Sequence, residues 1–409
     1  MNSINDYSEV VGAETINELR TIAAHLEGKI IQNINSTSVG GGVAEILSRI
    51  IPLLKELNVD ARWDLIKGGE KFFEITKKIH NSLHGIDVSI SDEELDHFLK
   101  ITDDNLKEIV LNGNVIFIHD PQPIGLIKAK KMPGMEEKKF IWRCHIDISS
   151  ANLKILNFLK KFIEMYDMSV FSSPLFSKKL KIPQVLISPS IDPLSEKNKE
   201  LEKDEILNII EKFGIDPEKK TMTQISRFDR LKDPLGVIDV YRLVKKYIAC
   251  QLILAGGTAN DDPESSQVYR EVIEKANGDK DIHILNLPPT SNIEINAIQR
   301  ASTVIVQKSL KEGFGLTVSE SLWKGKPVVA SAVGGIPLQI THKYSGLLSR
   351  TIEGTAFYVK QLLQNPGYAA NLGKNGKEHV KNNFLITRHV KDYMLLFLKT
   401  GYKEDTIFL

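Results

Sequence analysis

Short runs of β-branched and other apolar residues alternate with helix-length amphipathic stretches along almost the whole chain. Runs in the first half predict strands at 29–35, 60–66, 114–119, 139–145, 168–172 and 184–188. Runs in the second half predict further strands at 221–226, 250–255, 281–285, 303–307 and 327–331. Between them lie helical patterns such as 42–57 and 152–166. Because strands and helices alternate, we expect an α/β fold with parallel sheets covered by helices on both faces.

The length of the chain and one polar segment predict two domains. A chain of 409 residues exceeds what one hydrophobic core usually fills. The segment SPSIDPLSEKN at 188–198 carries prolines and serines between a strand and a new helix, which is typical of a linker. We therefore place the boundary near residue 195, which gives domains at 1–195 and 196–386. The last segment, 387–409, begins with an amphipathic helix that we expect to cross back to the N-terminal domain.

Composition excludes several classes of function. The 53 Lys and Arg residues and 52 Asp and Glu residues give a net charge of +1, with both signs interspersed. Neither nucleic acid nor an anionic membrane is therefore an expected partner. No uncharged apolar run approaches the roughly 20 residues of a membrane span, and the N-terminus lacks a secretory signal pattern. Cys144 and Cys250 match no metal-ligand spacing. We expect a cytoplasmic protein with reduced, buried thiols.

A glycine-rich segment follows the first predicted strand. In open α/β sheets, ligands bind beyond the carboxyl ends of the strands, and a cleft between two such domains is the expected site. The segment NSTSVGGGVAEIL at 35–47 places Gly40, Gly41 and Gly42 between a strand and a helix. Backbone amides there can approach an anion at the helix start. A tight turn without a ligand explains the glycines equally well.

The segment ISRFDRLKD at 225–233 places three cations, Arg227, Arg230 and Lys232, near another strand end. Arginine offers a two-pronged hydrogen-bond donor to phosphate oxygens, and lysine adds a point charge. A charged loop is more often solvated surface. The predicted position of this loop, at the ligand-binding end of a strand, favours a phosphate site instead.

The segment KEGFGLTVSE at 311–320 holds two glutamates, Glu312 and Glu320, around a glycine turn that starts a helix. The glycines leave the amides of Gly315 and Leu316 free to bind an anion. Glu320, one turn into the helix, can accept hydrogen bonds from a diol. The alternative is that both glutamates are helix-start carboxylates favoured by the helix dipole, but this alternative does not explain the paired glycines.

Two segments of the first half repeat one pattern. HDPQP at 119–123 and WRCHIDIS at 142–149 each place a histidine and an aspartate just beyond an apolar strand. A lone histidine is more often structural than catalytic. The same polar pair at two strand ends makes a functional role an equal alternative.

These motifs together resemble those of a known family. EGFGL followed by Glu320 resembles the Glu-x7-Glu motif of retaining glycosyltransferases of family 4, and SRFDRLK and VGGIP extend the match over the C-terminal half. The segments NSTSVGGGVAEIL, HDPQP, WRCHIDISS and SPSIDPLSEKN resemble those of the trehalose glycosyltransferring synthases, which join glucose from a sugar nucleotide to free glucose. The resemblance covers residues 29–390 and implies the GT-B fold, with two Rossmann-like domains whose parallel sheets face each other across a deep cleft.

The resemblance implies the residues of a donor site. The expected catalytic residues are Arg227, Lys232, Glu312 and His145, and the expected donor-binding residues are Gly41, Gly42, Leu287, Phe314, Gly315, Leu316 and Glu320. The two cations would neutralise the diphosphate leaving group, Glu320 would bind the ribose hydroxyls, and His145 would contact the transferred glucose near its 6-hydroxyl. Backbone around Leu287 would address the base. The sequence departs from the family at Asp233, where glycine usually follows the lysine.

The resemblance also implies free glucose as the acceptor, bound by Asp120 with Gln122 and Arg143. A sugar phosphate would need a basic cluster, whereas these strand ends supply Arg143 and few other cations. The implied reaction moves glucose, with retention, from UDP-glucose or ADP-glucose to glucose and gives an α,α-1,1-linked disaccharide. It needs no obligatory cofactor, although Mg²⁺ can accompany the nucleotide, and it is compatible with a homodimer.

Three alternatives stay open at this point. A retaining trehalose phosphorylase would use Arg227 and Lys232 with free phosphate, but Glu320 would then have no ribose to bind. A sugar-nucleotide epimerase of similar fold would need acid and base groups around the sugar and no acceptor pocket. A non-catalytic sensor of sugar nucleotides is the third.

Overall fold

The computed structural model describes residues 2–38, 42–257 and 263–401, and the chain divides into two compact units. The first unit combines the chain up to Ser190 with the C-terminal segment that starts at Ile386. The second unit runs from Ile191 to Leu385. Each unit contains one six-stranded sheet.

The first sheet is formed by strands that the sequence predicted. Its members are β1 (Ile30–Asn35), β2 (Asp60–Leu65), β3 (Val115–His119), β4 (Lys139–Cys144), β5 (Met168–Phe171) and β6 (Gln184–Leu186). The strand order is β2-β1-β3-β4-β5-β6, and every pairing is parallel. The carboxyl ends of β1, β3 and β4 therefore lie side by side at one edge, with His119 opposite Arg143.

Helices surround this sheet. They are α1 (Ser8–Val11), α2 (Ala13–Ala24), α3 (Gly42–Glu56), α4 (Glu70–Leu83), α5 (Asp92–Glu108), α6 (Leu153–Ile163) and α15 (Ile386–Gly401), with 3₁₀ turns at Ile4–Tyr7, Ile124–Lys131 and Pro174–Phe176. The last helix packs against α2 and α3.

The core of the first unit contains aromatic and aliphatic side chains from the sheet and its covering helices. Phe72 and Phe98 stack with ring centroids 5.8 Å apart, and Trp142 meets Phe171 edge to face. All five residues of β3 are buried, as expected for a strand covered on both faces. The polar residues at the ends of β3 and β4 thus follow directly on strands that are packed in the apolar core.

The second sheet repeats the design. Its strands are β7 (Thr221–Ile225), β8 (Gln251–Gly256), β9 (Ile282–Asn286), β10 (Val304–Gln307), β11 (Val328–Ser331) and β12 (Leu347–Ser349), in the order β12-β11-β10-β7-β8-β9. All pairings are again parallel. Because β7 and β10 are neighbours, the two segments that follow them, ISRFDRLKD and KEGFGLTVSE, leave the same edge of the sheet.

The second unit is also covered by helices. They are α7 (Lys203–Lys212), α8 (Pro234–Lys245), α9 (Pro263–Ala276), α10 (Asn292–Ala301), α11 (Leu316–Trp323), α12 (Ile336–Gln339), α13 (Ile352–Gln364) and α14 (Pro366–Asn383), with a 3₁₀ turn at Arg230–Lys232. Two apolar clusters fill the space between helices and sheet. Both cysteines are buried and free. Within the described ranges, no helix combines the length and apolar character needed to cross a bilayer.

Candidate active site

The three cations of the loop after β7 have different partners. Arg230 forms a salt bridge with Glu271 of α9, with Nη2 2.8 Å from Oε1. Arg227 is exposed, and its guanidinium lies 3.4 Å from Asp229, whose other carboxylate oxygen accepts the Leu231 amide. Arg227 is therefore available to a ligand, whereas Arg230 is tied to the neighbouring helix.

Lys232 and Glu312 come together as an ion pair. Lys232 Nζ lies 2.6 Å from Glu312 Oε2, and Ser309 Oγ donates to the same oxygen at 3.1 Å. The partners come from adjacent strand ends, so the sheet brings a lysine of one loop to a carboxylate of the next. Both side chains are largely buried, which weakens screening by solvent and strengthens their attraction. The structure thus places two of the predicted catalytic residues in contact.

Asp233 shows why a residue other than glycine can follow the lysine. Its backbone is left-handed, with φ 49° and ψ 51°. Aspartate is one of the few residues that tolerates this conformation, because its short side chain can bond locally. Here its carboxylate accepts the Gly236 amide at 3.0 Å and caps α8, and Lys308 Nζ bonds to it as well. The turn that carries Lys232 is therefore anchored on both sides.

The glycine turn between Glu312 and α11 depends on close backbone contact. Gly315, with φ 85°, forms the N-cap of α11 and leads into Leu316. The VGGIP segment packs directly on this turn, because a Cβ at Gly334 would lie 1.6 Å from the Glu312 carbonyl oxygen. A Cβ at Gly335 would lie 2.6 Å from the Gly313 carbonyl oxygen. Gly334 and Gly335 of VGGIP thus allow close packing against the backbone of the EGFGL turn.

Phe314 points its ring into the protein. The ring packs edge to face on Phe384, with centroids 5.5 Å apart, and its exposed fraction is 6%. Its carbonyl accepts a hydrogen bond from Gln339, which is held in turn by Ser319. The ring therefore anchors the turn and is not available to a ligand.

Glu320 lies in a group of charges that the sequence did not reveal. Its exposed fraction is 3%, and its Oε1 lies 3.7 Å from Lys197 Nζ. Lys324, four residues along α11, donates to the Glu320 carbonyl at 3.1 Å and to Asn198 Oδ1 at 2.9 Å. Burial lowers the pKa of Lys324 to about 7, against the opposing attraction of Glu320. The i, i+4 spacing of Glu320 and Lys324 could have signalled one of these contacts.

Leu287 follows β9 directly. Its amide donates to the Gly256 carbonyl at 2.8 Å, and its side chain belongs to a buried apolar cluster. Its amide and side chain are thus occupied within the unit, and a backbone contact between this segment and a base stays a prediction. In the first unit, Gly42 begins α3, while Gly41 lies outside the described residues.

Asp120 has a strained backbone and several fixed contacts. Its φ is 66°, its Oδ1 accepts the His145 amide at 2.8 Å, and its own amide donates to the Arg143 carbonyl at 2.8 Å. Trp142 Nε1 donates to the Asp120 carbonyl at 3.0 Å. Burial raises the pKa of Asp120 to about 7, although the His145 amide and the Arg143 charge act in the opposite direction. Strained non-glycine residues of this kind are common at binding sites.

A row of polar side chains connects β1 with the ends of β3 and β4. His119 Nδ1 lies 3.1 Å from His145 Nε2, and His119 Nε2 lies 3.2 Å from Asn33 Oδ1. Burial lowers the pKa of His119 to about 3 and the pKa of His145 well below its usual value. Sequence reasoning missed Asn33, because a polar residue inside a predicted strand gives no sign of the histidine that it meets in the fold.

Arg143 and Gln122 lie beside Asp120. Arg143 has no exposed surface, and its Nη2 lies 3.4 Å from Ser172 Oγ. Its Nε and Nη1, and Oε1 of the half-buried Gln122, have no hydrogen-bond partner among the described residues. Burial lowers the pKa of Arg143, and Asp120 is among the groups that oppose this effect. Arg143 therefore acts from inside the unit in this structure, and its direct contact with an acceptor stays a prediction.

The candidate residues do not form a metal centre in the described part of the chain. No group of three or more His, Cys, Asp or Glu side chains there is arranged to hold an ion. The candidate residues instead follow strands of both sheets, and contacts join Lys232 with Glu312 in the second unit and His119 with His145 in the first. The candidate side chains of the second unit are cations and two carboxylates, and those of the first unit are rich in neutral hydrogen-bonding groups. Such sets suit an anion and a sugar, respectively.

Several known proteins are similar to this chain in sequence and fold. Residues 33–178 match the family described as "Trehalose synthase, N-terminal domain", and residues 205–379 match "Glycosyl transferases group 1". A trehalose synthase of Pyrococcus horikoshii is 42% identical over 97% of this chain and 96% of its own length. A trehalose phosphorylase of Pleurotus pulmonarius is 30% identical over 85% of this chain, which spans 54% of that protein.

Solved structures agree on the fold. A trehalose-phosphate synthase from Burkholderia xenovorans, solved with glucose-6-phosphate, covers 91% of this chain with a TM-score of 0.71 at 12% identity, and all of that structure is matched. The Anabaena protein Alr3699/HepE, solved with UDP and glucose, covers 91% with a TM-score of 0.69 at 14% identity, again over its whole length. These likenesses show the fold, which is GT-B. Given the identity to the trehalose synthases over nearly all of its length, the chain belongs to the trehalose synthase family of GT-B glycosyltransferases.

Proposed function

We propose that the protein transfers glucose, with retention, from a nucleoside-diphosphate glucose to free glucose, forming trehalose and the nucleoside diphosphate in a reversible reaction. The contact between Lys232 and Glu312 supports this proposal most directly. It joins a cation suited to a phosphate with a carboxylate suited to a sugar hydroxyl, on two turns anchored by Asp233 and Gly315. UDP-glucose and ADP-glucose are the proposed donors.

The donor half of the reaction belongs to the second unit. Negative charge develops on the diphosphate as the glycosidic bond breaks, so preorganised positive groups are the natural catalysts. Arg227, Lys232 and the amides at the start of α11 supply that charge without a metal. We therefore propose no obligatory cofactor, although Mg²⁺ can accompany the nucleotide.

Retention does not require Glu312 to be a nucleophile. A retaining hydrolase uses a carboxylate that attacks the anomeric carbon. Glu312 instead has one oxygen occupied by Lys232 and Ser309. We assign it to sugar binding and charge stabilisation. The acceptor hydroxyl then attacks on the face that the phosphate leaves, and the departing phosphate takes its proton.

The acceptor half belongs to the first unit, where Asp120 and Gln122 are the proposed binding groups. A phosphorylated acceptor needs exposed cations around its phosphate. The cation of this cluster, Arg143, is buried. Free glucose, a neutral hexose, suits the carboxylate, amide and imidazole groups better than glucose 6-phosphate does.

The second candidate is a trehalose phosphorylase. The Lys197–Glu320 contact favours it, because this contact gives Glu320 a protein partner that requires no ribose. The sequence relationship to a trehalose phosphorylase points the same way. In that case phosphate replaces the nucleotide, and Arg227 and Lys232 bind it directly.

A donor panel separates the candidates. UDP-, ADP- and GDP-glucose are each incubated with and without glucose, and trehalose is incubated with phosphate, while nucleotide release and sugar products are measured. The proposal predicts nucleotide release that depends on glucose and trehalose as the product. A phosphorylase would cleave trehalose with phosphate and ignore every nucleotide sugar. An epimerase would change the donor sugar without an acceptor.

A further inference from the structure

Asn33, His119 and His145 form a continuous hydrogen-bonded row in the first unit. Asn33 lies in β1, His119 ends β3, and His145 follows β4. The two contacts are 3.2 Å, from Asn33 Oδ1 to His119 Nε2, and 3.1 Å, from His119 Nδ1 to His145 Nε2. The order of the sheet makes β1, β3 and β4 neighbours, so the row is set by the backbone.

The amide of Asn33 has a fixed orientation. Its Nδ2 donates to the Arg62 carbonyl at 3.2 Å, and a carbonyl can only accept. The opposite orientation would place two oxygens against each other. Oδ1 of Asn33 therefore faces His119, and because an amide oxygen also only accepts, His119 Nε2 must carry a hydrogen.

The hydrogen on Nε2 determines whether Nδ1 of His119 donates or accepts a hydrogen bond. The ring is buried and close to the charge of Arg143, and both effects lower its pKa, to about 3. A neutral ring that is protonated at Nε2 has a lone pair at Nδ1. His145 Nε2 must then donate to it.

The same reasoning extends to His145. Burial, followed by the charges of Arg143, His119 and His389, lowers its pKa well below the usual value. A neutral ring that donates from Nε2 keeps a lone pair at Nδ1. In the described part of the chain, Nδ1 of His145 has no hydrogen-bond partner, and the ring is only partly buried.

We infer that Asn33, acting through His119, holds His145 in the neutral Nε2–H tautomer, so that Nδ1 accepts a hydrogen bond from a sugar hydroxyl. Asn33 and His119 are positioning residues in this scheme, because each acts through the next ring. The assignment of the tautomer rests on hydrogen-bond geometry, and the identity of the ligand rests on the proposed function. A fixed acceptor would favour a hydroxyl over a carboxylate or phosphate at that position of the sugar.

The tautomer can be measured directly by nitrogen NMR on the full chain labelled with ¹⁵N-histidine. The signals of His145 are assigned by their loss in His145→Gln. The inference predicts a pyrrole-type Nε2 and a pyridine-type Nδ1 for His145 in the ligand-free protein. A pyridine-type Nε2, or two protonated nitrogens, would overturn it without any mutation in the row.

Two variants of one strand test the part played by Asn33. Asn33→Leu removes the acceptor that selects the His119 tautomer, so we expect a second tautomer of His145 to appear and kcat/KM for transfer to fall by about tenfold. Asn35→Leu is the matched control, because its Oδ1 accepts from Trp63 and from neither histidine. It should leave the His145 tautomer unchanged. An unchanged tautomer in Asn33→Leu would contradict the role of Asn33.

The ligand is tested with UDP-glucose and UDP, or with whichever donor and nucleotide pair is active in the panel. The sugar nucleotide should shift the pyridine-type Nδ1 signal of His145, and the nucleotide alone should not. An unshifted signal in a protein that turns over the donor would overturn the hydroxyl contact. Because the tautomer is measured without ligand, an absence of transfer would count against the proposed function alone.

Discussion

At the scale of single residues, the three cations of one short loop are held by different partners. Lys232 reaches Glu312, Arg227 stays exposed, and Arg230 is bound to Glu271. The family resemblance separates Arg227 and Lys232 from Arg230, but the partner that holds each cation could not be predicted from the sequence. The neighbours that separate them come from other strands and helices, and they meet the loop only in the folded sheet.

The loop gives a matched set of variants. Arg227→Ala and Lys232→Ala should each slow transfer by roughly 10²-fold or more, since in the proposed reaction each removes positive charge that stabilises the leaving diphosphate. Arg230→Ala should remain close to the wild-type rate, because its partner is Glu271. Steady-state kinetics on the folded variants provides the measurement. Equal losses in all three would mean that the loop acts only through its overall charge.

Asp120 should make the stability of the protein depend on pH. Its pKa is about 7 in the folded chain, against an ordinary value of 3.8, so between these values the folded state holds a proton that the unfolded state has lost. The free energy of unfolding should therefore fall as the pH rises from about 4 to about 7. Asp120→Asn keeps the acceptor for His145 and tolerates the left-handed backbone, but it cannot ionise.

Chemical denaturation of the wild type and Asp120→Asn across this range measures the effect. The wild type should lose stability relative to the variant as the pH rises, and the difference should level off above about pH 7. Two curves that stay parallel from pH 4 to pH 8 would show that Asp120 ionises normally in the folded chain.

At the scale of secondary-structure elements, most of the fold could be predicted because parallel strands are short, apolar and separated by amphipathic helices. Every strand predicted from the sequence is present, with ends that shift by one or two residues. The three-residue strand β12 was missed because it is too short to show a period. Ser91 and Glu94 form a capping box at the start of helix α5, which is a helix signal that the sequence does contain.

Contacts between the backbones of distant segments were harder to predict from the sequence. The sequence shows EGFGL and VGGIP as separate glycine motifs, and the structure explains the second by the first. Gly334 has φ 54° and no space for a side chain beside the Glu312 carbonyl. This requirement comes from a contact across about twenty residues of sequence, so neither motif predicts it alone.

A pair of glycine variants isolates that contact. Gly334→Ala should lower the free energy of unfolding by several kcal/mol, because both the left-handed backbone and a clash with the Glu312 carbonyl oppose it. Gly325→Ala has a similar φ of 69° and meets no atom within 4 Å, so it should cost only about 1–2 kcal/mol. Urea denaturation compares the two. A similar loss in both variants would mean that the turn can move away from VGGIP.

At the scale of the whole molecule, the chain contains two α/β units, each with a parallel sheet, and the units carry different kinds of candidate site. The second unit gathers Arg227, Lys232, Glu312 and Glu320, which suit a nucleoside-diphosphate sugar. The first unit gathers Asp120, Gln122 and the histidine row, which suit neutral hydroxyl groups. The proposed glucosyl transfer uses groups of both units.

The proposed reaction uses free glucose as the acceptor and retains the configuration of the donor glucose. The most direct measurement is NMR of the product formed from the active nucleoside-diphosphate glucose and [1-¹³C]glucose. This reaction would give a non-reducing disaccharide labelled at one of its two anomeric carbons, with both linkages α. A β linkage, a product formed only with glucose 6-phosphate, or a product without the label would contradict it.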